Sequence, residues 1–275
     1  MSTKVSKSKT ECRTHQIVLH YLRLIIRAIF ALIVAFFYGL AKIEGDPRLF
    51  GALSDLPVFF YGMFAWFIFE MIEFRILPTR LDSLGSRKQR KSHYQPSEDG
   101  ATPSRRELSH GLIAFTLIWG SGNLALGILH LLGILDAGVL FLVFLGYSIC
   151  DSVCILFFCP IRRWFLKNRC CTSCRIYNWD YAMMCTPLFF LPHPLTYLVS
   201  AFALYILLDW EIAFFRHPER FSTACNNALL CKNCTERLCT HSKELAGYVK
   251  KYAKKLRRAD EKKAVAPEKA PDENA

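Results

Sequence analysis

Seven of the twelve cysteines fall in two short polar stretches, 170–174 and 225–241, and their spacing is that of metal ligands. The first stretch holds Cys170, Cys171 and Cys174. The second holds Cys225, Cys231, Cys234 and Cys239, with His241 close behind. Cys171-x2-Cys174 and Cys231-x2-Cys234 have the form of two half-sites. A two-residue spacer lets both sulfurs reach one ion at about 2.3 Å, and two such pairs complete a tetrahedral set. Cys170, Cys225, Cys239 and His241 are spare ligands. Arg169, Arg175 and Lys232 favour thiolates and offset the charge of a four-sulfur site. Zinc is the expected ion, with an iron–sulfur cluster as the alternative, although the spacing does not follow the ferredoxin runs. Reduced free thiols, or disulfides in an oxidising compartment, are the plainer readings.

Three further groups of residues could do chemistry. Cys150, Asp151, Cys154 and Cys159 lie in one apolar stretch, with Cys150 and Cys154 on a shared helical face. A membrane thiol oxidoreductase would place a reactive pair here, whereas simple packing of small apolar cysteines needs no function. Asp151 is expected to bond to a neighbouring helix. Arg23 and Arg27 on the first apolar run face Glu70 and Glu73 near the end of the second. Antiparallel neighbours would bring these four charges to one level, where pairing or snorkelling accounts for them and an ion path is the sharper reading. Leu245, Val249, Tyr252 and Leu256 share one helical face amid Lys250, Lys251, Lys254, Lys255, Arg257 and Arg258, the pattern of a basic amphipathic helix on anionic headgroups. His130, His193 and His217 are single residues, expected to satisfy hydrogen bonds. No Ser-His-Asp set, phosphate-binding loop or dinucleotide fingerprint occurs. The runs Cys174–Tyr181 (CRIYNWDY) and His217–Phe221 (HPERF) are distinctive in composition.

The elements that must position these groups are apolar. The chain has 275 residues, 52% of them hydrophobic, and its charges sit between long apolar runs. About 20 apolar residues in a helix cross about 30 Å of hydrocarbon. The expected fold is therefore all-α, a polytopic integral membrane bundle with four full spans and a Pro-broken fifth element. Residues 1–16 form a basic cytosolic tail. Residues 17–159 form the four-span bundle (17–40, 57–77, 111–135 and 139–159), interrupted by a basic loop at 78–110 whose composition predicts disorder. The first cysteine segment covers 160–181, the broken membrane element 182–215 and the second cysteine segment 216–245. Residues 246–275 complete the chain as a basic amphipathic helix and a disordered tail. The first apolar run has no small-residue cleavage site after it and reads as a retained span. The formal net charge of +12 suits headgroups; nucleic acid is not an expected partner, because no compact basic domain exists to hold it.

Lys and Arg counts orient the chain. The tail has four, the 42–56 loop two, the 78–110 loop seven, the 136–138 turn none and the 160–181 segment five. Alternation puts every basic connection on the cytoplasmic side. The 216–258 stretch carries eleven and also belongs inside, which requires an even number of crossings after residue 181. The Pro192-His193-Pro194 break supplies a hairpin or re-entrant turn and is favoured over a single fifth span. Both termini are then cytoplasmic. The expected function is interaction or assembly with a membrane or cytosolic protein partner, with a cytosolic-face cysteine site held by structural zinc. A thiol or iron–sulfur redox protein and a small transporter are the alternatives.

Overall fold

The computed structural model describes residues 2–45, 57–76, 88–97, 110–166, 174–230, 233 and 238–265, with side chains from residue 17 onward. All regular elements among them are helical. They are α1 (Ser2–Glu44), α2 (Pro57–Met71) with a π-helical continuation (Ile72–Ile76), α3 (His110–Leu131), α4 (Ala137–Leu156), α5 (Asp180–Cys185), α6 (Pro194–Arg216) and α7 (Leu238–Val265). Short 3-10 segments at Arg175–Trp179 and Thr186–Phe190 flank α5.

Four helical stretches are long and apolar enough to cross a membrane: Ile17–Glu44, His110–Leu131, Ala137–Leu156 and Pro194–Arg216. The set differs from the expected four spans. The second apolar run forms only a 15-residue α-helix before its π-helical turn, while the stretch after Pro194 supplies a full-length helix of 23 residues. Aromatic crowding explains the mistaken length, because Phe59 to Phe74 reads as one apolar run although the α geometry ends at Met71. Helix α1 also starts well before the apolar region, so residues 2–16 continue it.

Ring and ion-pair contacts give the directions. Helix α1 packs most extensively against α4, with Arg27 beside Asp151 at one end and Tyr38 beside Asp136 at the other, so the two are antiparallel. Phe60 near the start of α2 meets Phe141 near the start of α4 and His193 just before α6. Helices α2, α4 and α6 therefore run together toward the end where α1 begins, here called the basic end. Helix α3 runs the other way: its start lies against Phe165 and its later turns against Phe190. Gly111 is required there, since a Cβ would collide with the Phe165 carbonyl.

The broken element resolves into two legs. Residues 175–190 run from the basic end to the opposite end as 3-10, α and 3-10 turns, and α6 returns. Ten of these residues are 3-10 and six are α; at roughly 2.0 and 1.5 Å per residue the leg is about 29 Å long. The 3-10 turns let these residues cover a length that they would not reach as pure α-helix. The return starts cleanly: His193 Nδ1 accepts from the Leu195 amide, Pro194 occupies the first turn, and Thr196 Oγ1 donates to the carbonyls of Leu191 and His193. The core between the legs and α2 and α4 is aromatic and aliphatic, with Phe64, Phe67, Phe141, Phe144, Leu188 and Val199 fully or almost fully buried.

The α3–α4 turn shows how sequence sets local structure. Asp136 caps α4 by accepting from Val139 N, accepts from Tyr38 Oη at 2.8 Å and pairs with Lys42 at 2.8 Å. Burial pushes its carboxyl up, but the bonds from Lys42, Val139 and Tyr38 outweigh this and hold it below the usual range. A depressed carboxyl stabilises the fold above the unfolded value and loses that contribution as pH falls through the folded one. Asp136→Asn keeps the capping oxygen and removes the charge. Its melting temperature is expected to fall below wild type at neutral pH, and the gap is expected to close as pH drops below about 4. A gap that persists in acid would show that the charge is not what matters.

Candidate functional site

The first group is the buried charge cluster. Arg27, with no exposed surface, places its guanidinium between α2 and α4. Nη2 and Nε donate to Glu70 Oε2 at 2.7 and 3.3 Å. Nη1 donates to Ser148 O at 2.7 Å, Asp151 Oδ2 at 2.9 Å and Ser152 Oγ at 3.0 Å. One turn earlier, Arg23 Nε donates to Glu70 Oε1 at 3.2 Å and Nη2 to Tyr181 Oη at 2.9 Å. Trp66 Nε1 adds a bond to Glu70 Oε1 at 3.1 Å. Two cations and two anions thus neutralise each other largely out of solvent, and four donors fill the Glu70 oxygens. Arg23 and Arg27 of α1 share Glu70 of α2, and Asp151 of α4 meets Arg27 of α1. Glu73 lies on the following π-helical turn, partly exposed, and the carboxylate shared by both arginines is Glu70. Trp66, Ser148, Ser152 and Tyr181 were not anticipated. For Trp66, Ser148 and Ser152 the signal was i,i+4 spacing, Trp66 to Glu70 and Ser148 to Ser152; Tyr181 lies 158 residues from Arg23 and had none.

The second group is a polar cap at the basic end, built by the two distinctive runs. Arg175 pairs with Glu211, with Nε to Oε1 at 3.1 Å, and lies 4.2 Å from the Phe214 ring centre. Trp179 Nε1 donates to the same Glu211 Oε1 at 2.7 Å. Asn178 Nδ2 donates to Gln89 Oε1 at 2.8 Å. Asn226, fully buried, donates to Lys88 O and Arg220 O and accepts from Ala228 N and Gln95 N. Pro96 and Asn226 form an isolated antiparallel bridge. Residues 88–97, placed in a disordered loop from composition, are therefore held here in 3-10 and extended geometry. Polar side chains accomplish what apolar burial could not. Phe221 of the second run packs on Trp210 and Phe214.

Cys174 and Cys225 are buried in this cap, so the two cysteine segments meet the bundle at one end. Helix α7 joins them there, with His241 3.2 Å from Tyr21 Oη and Ser242 hydrogen-bonded to Phe157 O. Cys170, Cys171, Cys231, Cys234 and the side chain of Cys239 lie outside the described residues. Among the described residues, no group of three or more His, Cys, Asp or Glu is arranged to hold a metal ion. His241 contacts Tyr21. The single histidines make hydrogen bonds, His130 with Leu135 O and His217 with Glu219. The described basic residues of 246–258 are exposed on α7.

The third group lines a cavity of about 330 Å³ between α3, α4 and the 175–190 leg. Cys150, Cys154, Cys159 and Cys174 contribute thiols to it, and Met183 and Met184 thioethers. A second, more open groove of about 650 Å³ lies on the other side of the leg, between α3 and α6, with Arg175 and Glu211 on its wall.

Comparison with known proteins gives no matching family model, no matching curated protein and no matching solved structure. The site has to be read from its own chemistry.

Proposed function

We propose that this chain is a polytopic integral membrane protein whose basic end faces the cytoplasm and carries a thiolate zinc site with a role in assembly. The observation that supports it is the polar cap, in which Cys174 and Cys225 are buried at the same end of the bundle. Cys174 belongs to the first CxxC half-site, and Cys225 precedes the second by six residues. If the 175–190 leg and α6 both cross, the two half-sites share one face of the membrane. In a reducing cytoplasm a metal, rather than a disulfide, would hold Cys171, Cys174, Cys231 and Cys234 together. Such a site staples segments that have little apolar core of their own. The exposed basic face of α7 then suits anionic headgroups beside a protein partner. The charge cluster supports a structural role over an ion path, because both Glu70 oxygens are already occupied.

Elemental analysis of the purified protein tests the site. Stoichiometric zinc without visible colour is expected. Cys231→Ser should release it and make Cys171 reactive toward alkylation. Unchanged metal content in that variant would mean the sulfurs are not ligands, and a brown visible spectrum would replace zinc by an iron–sulfur cluster.

A further inference from the structure

We propose that Cys154 and Cys159 form a redox-active dithiol that passes two electrons to a quinone bound in the sulfur-lined cavity. Three observations carry this. Cys154 occupies the last turn of α4 and Cys159 lies just beyond its end, before Pro160. Both are free thiols on the wall of the same cavity. Neither is sealed in the core, unlike Cys185. The remaining wall is aromatic and apolar, with Phe115, Trp119, Tyr147 and Ile155. Phe115 stacks on Trp119, which meets Tyr147 at a tilt, a surface suited to a flat neutral ring rather than to a polar peptide. Finally, the indole N–H of Trp119 is buried and has no acceptor among the described residues. Such a donor is costly to leave unmet, and a ring carbonyl would meet it.

The chemistry at Cys159 fits a nucleophilic thiol. Its pKa is lowered to about 6, first by the hydrogen bond with Cys154, against the opposing effect of burial. The backbone N–H groups of Arg162 and Ile161 and the Arg162 charge add to the lowering; the Arg162 amide lies 3.4 Å from the sulfur. A lowered, partly exposed thiolate beside a second thiol is the arrangement of a reactive pair. The step balances as follows. The two sulfurs lose two electrons and two protons, and one S–S bond forms between them. The quinone gains the two electrons at its ring and the two protons at its carbonyl oxygens, leaving as a quinol. A disulfide formed in a reducing compartment is transient, as a catalytic one should be.

The test uses the full-length protein in lipid nanodiscs, reduced and freed of reductant. The probe is a fully ring-substituted benzoquinone with a short alkyl tail, which cannot arylate thiols. Expected are loss of quinone absorbance, two maleimide-reactive thiols consumed per quinol, and loss of two hydrogens from the peptide containing residues 154 and 159. Cys154→Ser and Cys159→Ser should each abolish turnover. The wild-type measurement stands alone if a variant fails to fold. A pair that stays reduced while open to alkylation overturns the proposal. So does dependence on Cys150 in place of Cys154. Uptake of Cu(I) by the pair with no reaction toward quinone would replace it by a soft-metal site.

Discussion

Glu70→Gln should destabilise the folded chain by about 3–5 kcal/mol, the usual cost of breaking a buried ion pair by removing one partner. Glu70 and Arg27 have no exposed surface and Arg23 almost none. The cluster holds two guanidiniums and two carboxylates, so removing Glu70 leaves one net positive charge in an interior that cannot hydrate it. Asp151 still satisfies part of Arg27 at 2.9 Å. Arg23 loses its carboxylate and keeps Tyr181 at 2.9 Å among its partners. The orphaned charge therefore falls mainly on Arg23. The double variant Glu70→Gln/Arg23→Gln restores neutrality and should be more stable than Glu70→Gln alone. Glu70→Gln/Arg27→Gln should recover less, because it strands Asp151 as well as Arg23. Unfolding followed by denaturant in mild detergent supplies the double-mutant cycle. Additive effects of Glu70 and Arg23 would show that the pair does not interact. The opposite replacement is informative too, since a buried pair exchanged for apolar residues of similar volume is often tolerated.

The second large effect is expected at Asn226. Its side chain uses its two amide hydrogens on Lys88 O and Arg220 O, at 3.0 and 2.8 Å. Its oxygen accepts from Ala228 N at 3.0 Å and, more weakly, from Gln95 N at 3.4 Å. Every polar position of the group is in use, and the residue is fully buried. Asn226→Ala strands four backbone groups. Each unmet buried group costs roughly 1–3 kcal/mol, and the long bond to Gln95 least of all. The loss should reach about 3 kcal/mol and should be local. Hydrogen exchange is expected to rise across residues 88–97 and 217–230, and trypsin to cut after Lys88 and Arg90. The α1–α4 interface, held by Arg27 and by Tyr38 at its two ends, should keep its protection. Unchanged exchange at 88–97 would mean that the bridge at Pro96 and the Gln89–Asn178 bond suffice without Asn226.

The two variants probe parts of the chain that differ in how far they could be read beforehand. The apolar runs determined the helical class, and charge segregation determined which connections share an end. Arg23, Arg27 and Glu70 could be matched from sequence because a short loop makes α1 and α2 antiparallel and puts their charges at one level. The physics there is local: helical spacing and the cost of a lone buried charge leave few arrangements. Asp151 followed from the same rule, since an acid in an apolar helix must find a partner. The CxxC spacings were equally legible as half-sites, and whether Cys171 and Cys231 meet depends on residues beyond those described.

What the sequence left open was settled by long-range packing. Composition marked 88–97 as unable to fold, and it has no apolar core; it is held by Asn178 and Asn226, which lie 89 and 131 or more residues away from their partners. No local pattern encodes which asparagine completes which backbone. The 175–190 leg was too short as an α-helix, and only its position between α3, α4 and α6 shows that 3-10 turns stretch it across. Shared-face reasoning singled out Cys150 and Cys154 as neighbours, whereas Cys159 joins them on the same cavity wall, because the helix ends at Leu156 and the chain turns at Pro160. Helical periodicity predicts neighbours only while the helix continues. Beyond its last turn the partner is chosen by the path of the chain, and that path is a property of the tertiary structure.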